Sequence, residues 1–385
     1  MRPIYSFALI PMIACITPPD QPPELEPIDL TCVHCGPNGA SVDGEPFSWL
    51  RLDHDINDDG VTYLGFRKGN STYTLDIDRN VLRFLGGDGK WHGYKELVGG
   101  VIQISIAKTK KTYDVIIEDV KNCFPQYSQP SPPNSIDCMD HGIPYWTTPA
   151  SGEAETYILK WKPVGVAPPP GRTTVEATPV CPPVPVEVTG GHLYEAVVFE
   201  GDHYDPISRN ITSTTMEDKV APFNIACIGS LPAKQELARR TEATKTGNYD
   251  TNIKDDRQAL ARVWAAQYCG RNVFTETGHR LRVSDRKKWL HQEGWGWEDN
   301  KPTSDPYFRY EAVWDATGAV CLDTPRLAVS DPNVPIDPEV FANIRRLCGD
   351  IPKCTGQSWF PGNWTKYGQF LTATVARIAI EDQRP

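Results

Sequence analysis

The chain has 385 residues with a net charge of −10, enough length for two domains of ordinary size. An acidic chain with only short basic runs, such as Lys108-Thr-Lys-Lys111, argues against a nucleic-acid partner, because its field repels phosphates. Its 35 prolines and 30 glycines point to many turns and short strands rather than a helical bundle.

Residues 1–14 read as a lipoprotein signal peptide. They hold one basic residue, Arg2, then an apolar run of the length of a signal core and too short to span a bilayer. Met12-Ile-Ala-Cys15 reads as a lipobox, so Cys15 is expected to be lipidated as the diacylated N-terminus of the mature protein. The competing readings are another export signal, or a strand with a chance cysteine. Ile16 rather than Asp follows Cys15, which gives no reason for retention in an inner membrane. The expected place is therefore the cell envelope, lipid-anchored in the outer membrane, at its periplasmic face or at the cell surface. Residues 15–31 are proline-rich and acidic without an amphipathic period, as a solvated tether requires.

The other cysteines are Cys32, Cys35, Cys123, Cys138, Cys181, Cys227, Cys269, Cys321, Cys348 and Cys354. Their number is even, and an exported chain sits where disulfides persist, so all are disulfide candidates. Cys123–Cys138 and Cys348–Cys354 would each close a short loop. Cys32-Val-His-Cys35 resembles a redox or metal half-site. No second Cys-x-x-Cys completes a zinc site, and Gly36 stands where haem attachment needs histidine.

Residues 32–163 read as an antiparallel β domain, sandwich or barrel-like. Strands are predicted over 61–66, 72–77, 81–85, 101–106 and 113–118, each rich in β-branched and aromatic residues and separated by Gly/Asn/Asp turns. Before them, Asp53, Asp55, Asn57 and Asp59 place oxygens at alternate positions ahead of Gly60, a pattern that calcium loops use. Phe66 stands where such a loop needs its bidentate glutamate, so calcium competes with a plain acidic turn and no other cofactor is expected. Residues 123–150 read as a Pro/Ser/Asn loop and 156–161 as a further strand. A proline-rich linker is expected over 164–187, where two domains would divide.

Residues 188–385 read as a disulfide-stapled α+β domain with about three helices, so that the fold class is α+β and β-rich. Residues 192–200 reopen the strand pattern. Gly201-Asp-His-Tyr-Asp205 and Ser208 bring acid, base and hydroxyl together, with a polar turn as the plainer reading. Helices are expected over 232–243, 255–269 and 338–348. The second has an acidic start and an apolar stripe of Leu260, Val263, Trp264 and Tyr268, with Gly270 placed to end it. The third has Asp337 as its cap. Strands are expected over 280–283, 310–314 and 319–322. Trp289, Trp295 and Trp297 form an aromatic cluster that would stack on a sugar or a partner, or pack into the fold.

Ala266-Gln-Tyr-Cys-Gly270, followed by Tyr310-Glu-Ala-Val-Trp314 and Cys321-Leu322, resembles the ADYC domain of exported proteins and lipoproteins common in myxobacteria. Here Gln267 replaces the aspartate of the signature, which weakens a chemical role for an acid there. The resemblance implies export and disulfides and supplies no activity. Within it, a Cys227–Cys269 bridge tying the first two helices is the leading expectation. The functional expectation is a lipid-anchored envelope protein with a binding or structural role. Its partners would be the membrane, through the lipid, and a protein or glycan. The alternative is an exported enzyme, a hydrolase by class, with His203 and Asp202 or Asp205 in a pocket.

Overall fold

The computed structural model describes residues 39–78, 80–122, 155–185, 192–205, 208–213, 223–237, 254–275, 280–285, 308–328, 337–354, 368 and 370–375. Cys15, Cys32, Cys35, Cys123, Cys138, Trp289, Trp295 and Trp297 lie outside the described residues, as does the tether.

In chain order the first strands are β1 (Ser41–Val42), β2 (Glu45–Pro46), β3 (Trp49–Leu50), β4 (Val61–Lys68), β5 (Ser71–Asp78), β6 (Val81–Leu85) and β7 (Trp91–Gly93). They continue with β8 (Gly100–Ile106), β9 (Lys111–Asn122), β10 (Glu155–Pro163), β11 (Thr178–Pro179), β12 (Val184–Pro185), β13 (His192–Leu193) and β14 (Glu195–Glu200). Next come β15 (His203–Tyr204), β16 (Ile211–Ser213), β17 (Phe223–Cys227), α1 (Leu231–Leu237) and α2 (Lys254–Ala265). The chain closes with β18 (Arg280–Asp285), β19 (Phe308–Asp315), β20 (Gly318–Leu322), α3 (Pro338–Cys348) and β21 (Phe370–Val375).

Ten of these strands form one path, β3-β17-β14-β10-β9-β8-β4-β5-β6-β7, with β11 attached to β10. All the pairings are antiparallel. The alternation seen in the sequence sorts the two faces. Ile102, Ile104 and Ile106 of β8 point inward with Tyr113, Val115 and Ile117 of β9, all buried. Each such side chain contributes about 1.5–3 kcal/mol by leaving water. The sheet curls over its own core, because the Leu82 amide of β6 donates to Tyr157 Oη of β10 across 2.9 Å.

The sheet also runs across the stretch 164–187 that the prolines suggest as a linker. The Val180 amide donates to Leu159 O, and Val180 and Cys181 are buried in the main core. Pro179 is tolerated because β11 hangs on the flank of β10 as a two-residue strand. β14 and β17, drawn from beyond the stretch, then extend the same sheet, and Thr31–Pro385 form a single compact unit.

A second antiparallel sheet has the order β18-β21-β19-β20. Its central strand, β21, is not among the predicted strands. α3 matches its expected bounds, with Asp337 Oδ1 accepting from the Glu339 amide at 2.8 Å. α1 begins one residue before its expected start, and its expected end lies outside the described residues. α2 differs from its expectation in two ways. It ends at Ala265, four residues early, because Ala266 takes a left-handed φ of 47°. It is also buried from Arg257 to Ala265 without a solvent face, so the single apolar stripe is a full burial. None of the described helices is long and apolar enough to cross a membrane.

Candidate functional site

The signature stretch 266–270 is a folded turn that ends α2. Ala266 reverses the chain, and the Gln267 amide returns to Arg262 O at 2.9 Å. Tyr268 O then accepts from the Ala319 amide at 2.8 Å, which docks the turn onto β20. Gly318 is needed at that contact: a Cβ there would lie 2.5 Å from Tyr268 O, and its φ is 144°.

Tyr268 is fully enclosed and stacks on Trp314, with ring centroids 5.2 Å apart. Its hydroxyl donates to Glu311 Oε1 at 2.6 Å and accepts from the Arg326 amide. Arg326 grips both oxygens of Glu311, at 2.6 and 2.9 Å, and also donates to Val263 O. Burial, and then the Glu311 charge, push the Tyr268 phenol well above its usual range. Burial opposes the Arg326 charge, but Glu311 overcomes it and raises that guanidinium. Nearby in α1, burial and the field of Arg326 bring the Lys234 amine down to about 8.

Gln267 is an equally buried clamp. Its Oε1 accepts from Arg262 Nη1 at 2.6 Å, and its Nε2 donates to Arg271 O and Ser208 O. Arg262 spends its other donors on Ser208 O, Ala316 O and Asn210 Oδ1. Its partners are neutral, so burial and the like charge of Arg209 lower its pKa to about 10.

Residues 201–205 and Ser208 carry the predicted acid, base and hydroxyl, and Asp202, His203 and Asp205 take different hydrogen-bond partners. Asp202 is fully buried and makes a double contact with Arg257 of α2, at 2.6 and 2.8 Å. Asp205 Oδ1 accepts from the Ser208 amide at 2.5 Å, closing the turn. His203 faces the other way, its ring 4.6 Å from Trp49 and its Nδ1 3.1 Å from Thr212 Oγ1. Burial holds its imidazole below the usual value against the pull of Asp59, Asp58 and Asp205.

The four alternating oxygens of the acidic loop are taken up by the protein's own groups, Asp53 and Asp55 both by Arg51. Asp53 pairs with Arg51 at 2.5 Å, and Asp59 Oδ2 accepts from the Ser48 hydroxyl and amide. Asn57 bridges the Trp49 carbonyl and the Val61 amide, and Asp55 is exposed. The loop is thus a turn pinned to β3 and β4. Among the described residues, no group of three His, Cys, Asp or Glu side chains could hold a metal ion.

Among the described residues three disulfides are formed: Cys181–Cys227, Cys269–Cys348 and Cys321–Cys354. The expected Cys227–Cys269 and Cys348–Cys354 pairs are therefore corrected. Cys227 ends β17 in the main core, where the chain 178–181 lies beside it. The left-handed turn at Ala266 carries Cys269 away from it to the end of α3. The short span from Cys348 to Cys354 cannot close on itself, because α3 delivers Cys348 to the signature turn while Cys354 packs beside Cys321 and Val313.

Sequence reading found the signature, Tyr268 and the cysteines. It missed Glu311, Arg326, Arg257 and Arg262 as structural partners. The available signal was charge inside an apolar run: Arg257 and Arg262 stand among Ala259, Leu260, Ala261, Val263 and Trp264, positions that leave no wet face. Residues 144–328 match the family model of the ADYC domain, a span that begins before β10 and ends beyond Arg326. The matched unit therefore includes part of the large sheet and reaches further toward the N-terminus than the signature implies. No curated protein and no solved structure matches the chain.

Proposed function

Because the chain carries an ADYC domain, we propose that it is a lipid-anchored protein of the cell envelope whose folded part binds or supports rather than catalyses. One observation carries the reading of the folded part. The polar groups of the signature are spent inside the molecule: Gln267 on Arg262, Tyr268 on Glu311, and Cys269 on Cys348. A catalytic group has to reach substrate, whereas these brace the junction of α2, β19, β20 and α3. The anchoring half of the proposal rests on the Met12-Ile-Ala-Cys15 lipobox and its tether. The three disulfides among the described residues suit an oxidising compartment.

Cell fractionation tests the anchor: the native chain should sediment with membranes, and Cys15→Ser should move it to the soluble fraction. Membrane association that survives the substitution would overturn lipidation. Turnover of ester, phosphate or glycoside probes that disappears in His203→Ala would overturn the non-catalytic reading in favour of an exported hydrolase.

A further inference from the structure

Among the described residues, the end of the large sheet formed by β5, β6 and β7 has an outer face that neither the core nor the signature uses. β6 turns Leu82 and Phe84 into the core and leaves Arg83 on the other side. The register places Thr74, Leu85 and Trp91 in one row across three strands, and Asp76, Arg83 and Gly93 in the next. β7 is the last strand of the path, so Trp91 stands at the rim of this face. It is 45% exposed, a large aromatic surface to leave in water.

The indole is held in place. The Arg83 guanidinium lies 4.7 Å from the ring centroid and is itself clamped by Asp76 at 2.8 Å and Asp78 at 2.6 Å. Little side-chain freedom remains to be lost when a ligand arrives. Several charges on this side of the sheet come in pairs. Arg83 meets Asp76 and Asp78, Arg67 of β4 meets Asp114 of β9 at 2.7 Å, and Lys160 of β10 meets Glu118 at 2.7 Å. Because each of these charges already has its partner, a charged ligand gains little from them. A neutral polyhydroxylated one could accept from the guanidinium, donate to the carboxylates and lay the C–H face of a ring on the indole.

We propose that the outer face of β5–β7 is a binding site for a neutral polysaccharide, with Trp91 as its stacking platform and Arg83 and Asp76 as its hydrogen-bonding groups. The inference rests on the binding reading above and gives it a place and a ligand class. It is tested by titrating the full chain with cellohexaose, maltohexaose and the hexamer of N-acetylglucosamine, using heparin as the anionic comparison, in a calorimeter.

At least one neutral hexasaccharide should bind saturably. Trp91→Ala should weaken that binding by about tenfold or more, while Trp91→Phe, which keeps a ring, should retain most of it. Circular dichroism should be unchanged, because Trp91 is a rim residue. Equal binding by Trp91→Ala overturns this face as the site and leaves a binding role standing. Binding of heparin alone overturns the neutral-ligand assignment. Failure of all three hexasaccharides, or exclusive capture of a protein strand along β7, overturns the proposal whatever the fractionation of Cys15→Ser shows.

Discussion

The curled sheet and the signature turn are both buried, but opposite chemistry holds them. In the sheet, isoleucine, valine and tyrosine side chains pack in layers, and most hydrogen bonds are those of the backbone ladder. Around the signature, ionised side chains sit at 0% and 3% exposure and are tolerable only because each has its partner. A layered apolar core loses stability gradually as methyl groups are removed. A buried ion pair fails when one member is lost, because the survivor keeps its desolvation cost. The pair does not need to be worth much in itself to make its residues hard to replace.

Breaking the pair is the sharpest test of this contrast. Glu311→Gln leaves Arg326 charged in a closed site and should cost about 3–5 kcal/mol in urea unfolding. Replacing both, as Glu311→Leu with Arg326→Met, should cost clearly less than the single change. A double variant as damaged as the single one would remove the argument. Next in size, Cys181→Ala with Cys227→Ala opens a bridge across 46 residues and should cost about 2–4 kcal/mol in the sheet region. Gly318→Ala presses a methyl group on Tyr268 O and strains a left-handed residue, for a loss of about 1–3 kcal/mol by thermal melting.

The sheet should respond more mildly. Ile104→Val removes one methyl group from a residue with 0% exposure and should cost about 0.5–1.5 kcal/mol. A cost near that of Glu311→Gln would erase the difference between the regions. The smallest effect belongs to His92, which bridges Asp88 and Glu96 on the surface. The Asp88 hydrogen bond, then that of Glu96, raises its imidazole above the ordinary value. Its contribution is therefore complete below about pH 6.5 and fades as pH rises through the folded value. Unfolding curves of His92→Gln and the native chain should differ slightly at pH 5 and coincide at pH 9.

The two regions also differ in how legible they are from sequence. Strands β4, β5, β6, β8 and β9 stand in the chain as alternating β-branched and aromatic runs, because a sheet with a single core behind it imposes a period of two. α3 and its Asp337 cap are equally plain, since capping is decided within four residues. The end of α2 is not, because the left-handed φ of Ala266 is enforced by β20 docking on Tyr268 and not by any local glycine. The prolines of 164–187 mislead in the same way: they describe an edge strand tied to β10 as well as they describe a linker.

What the sequence alone determined is the local and periodic part of this protein: a β-rich antiparallel fold, its third helix, a signature turn and a set of cysteines able to pair. Backbone propensity, alternation and capping act over a few residues, and so they can be read along the chain. What only the tertiary structure decided is which distant groups meet: Glu311 with Arg326, Asp202 with Arg257, Cys269 with Cys348, and Trp91 with Arg83 on an open face. Those pairings follow from burial and from the path of the chain through space, and neither leaves a fixed spacing in the sequence.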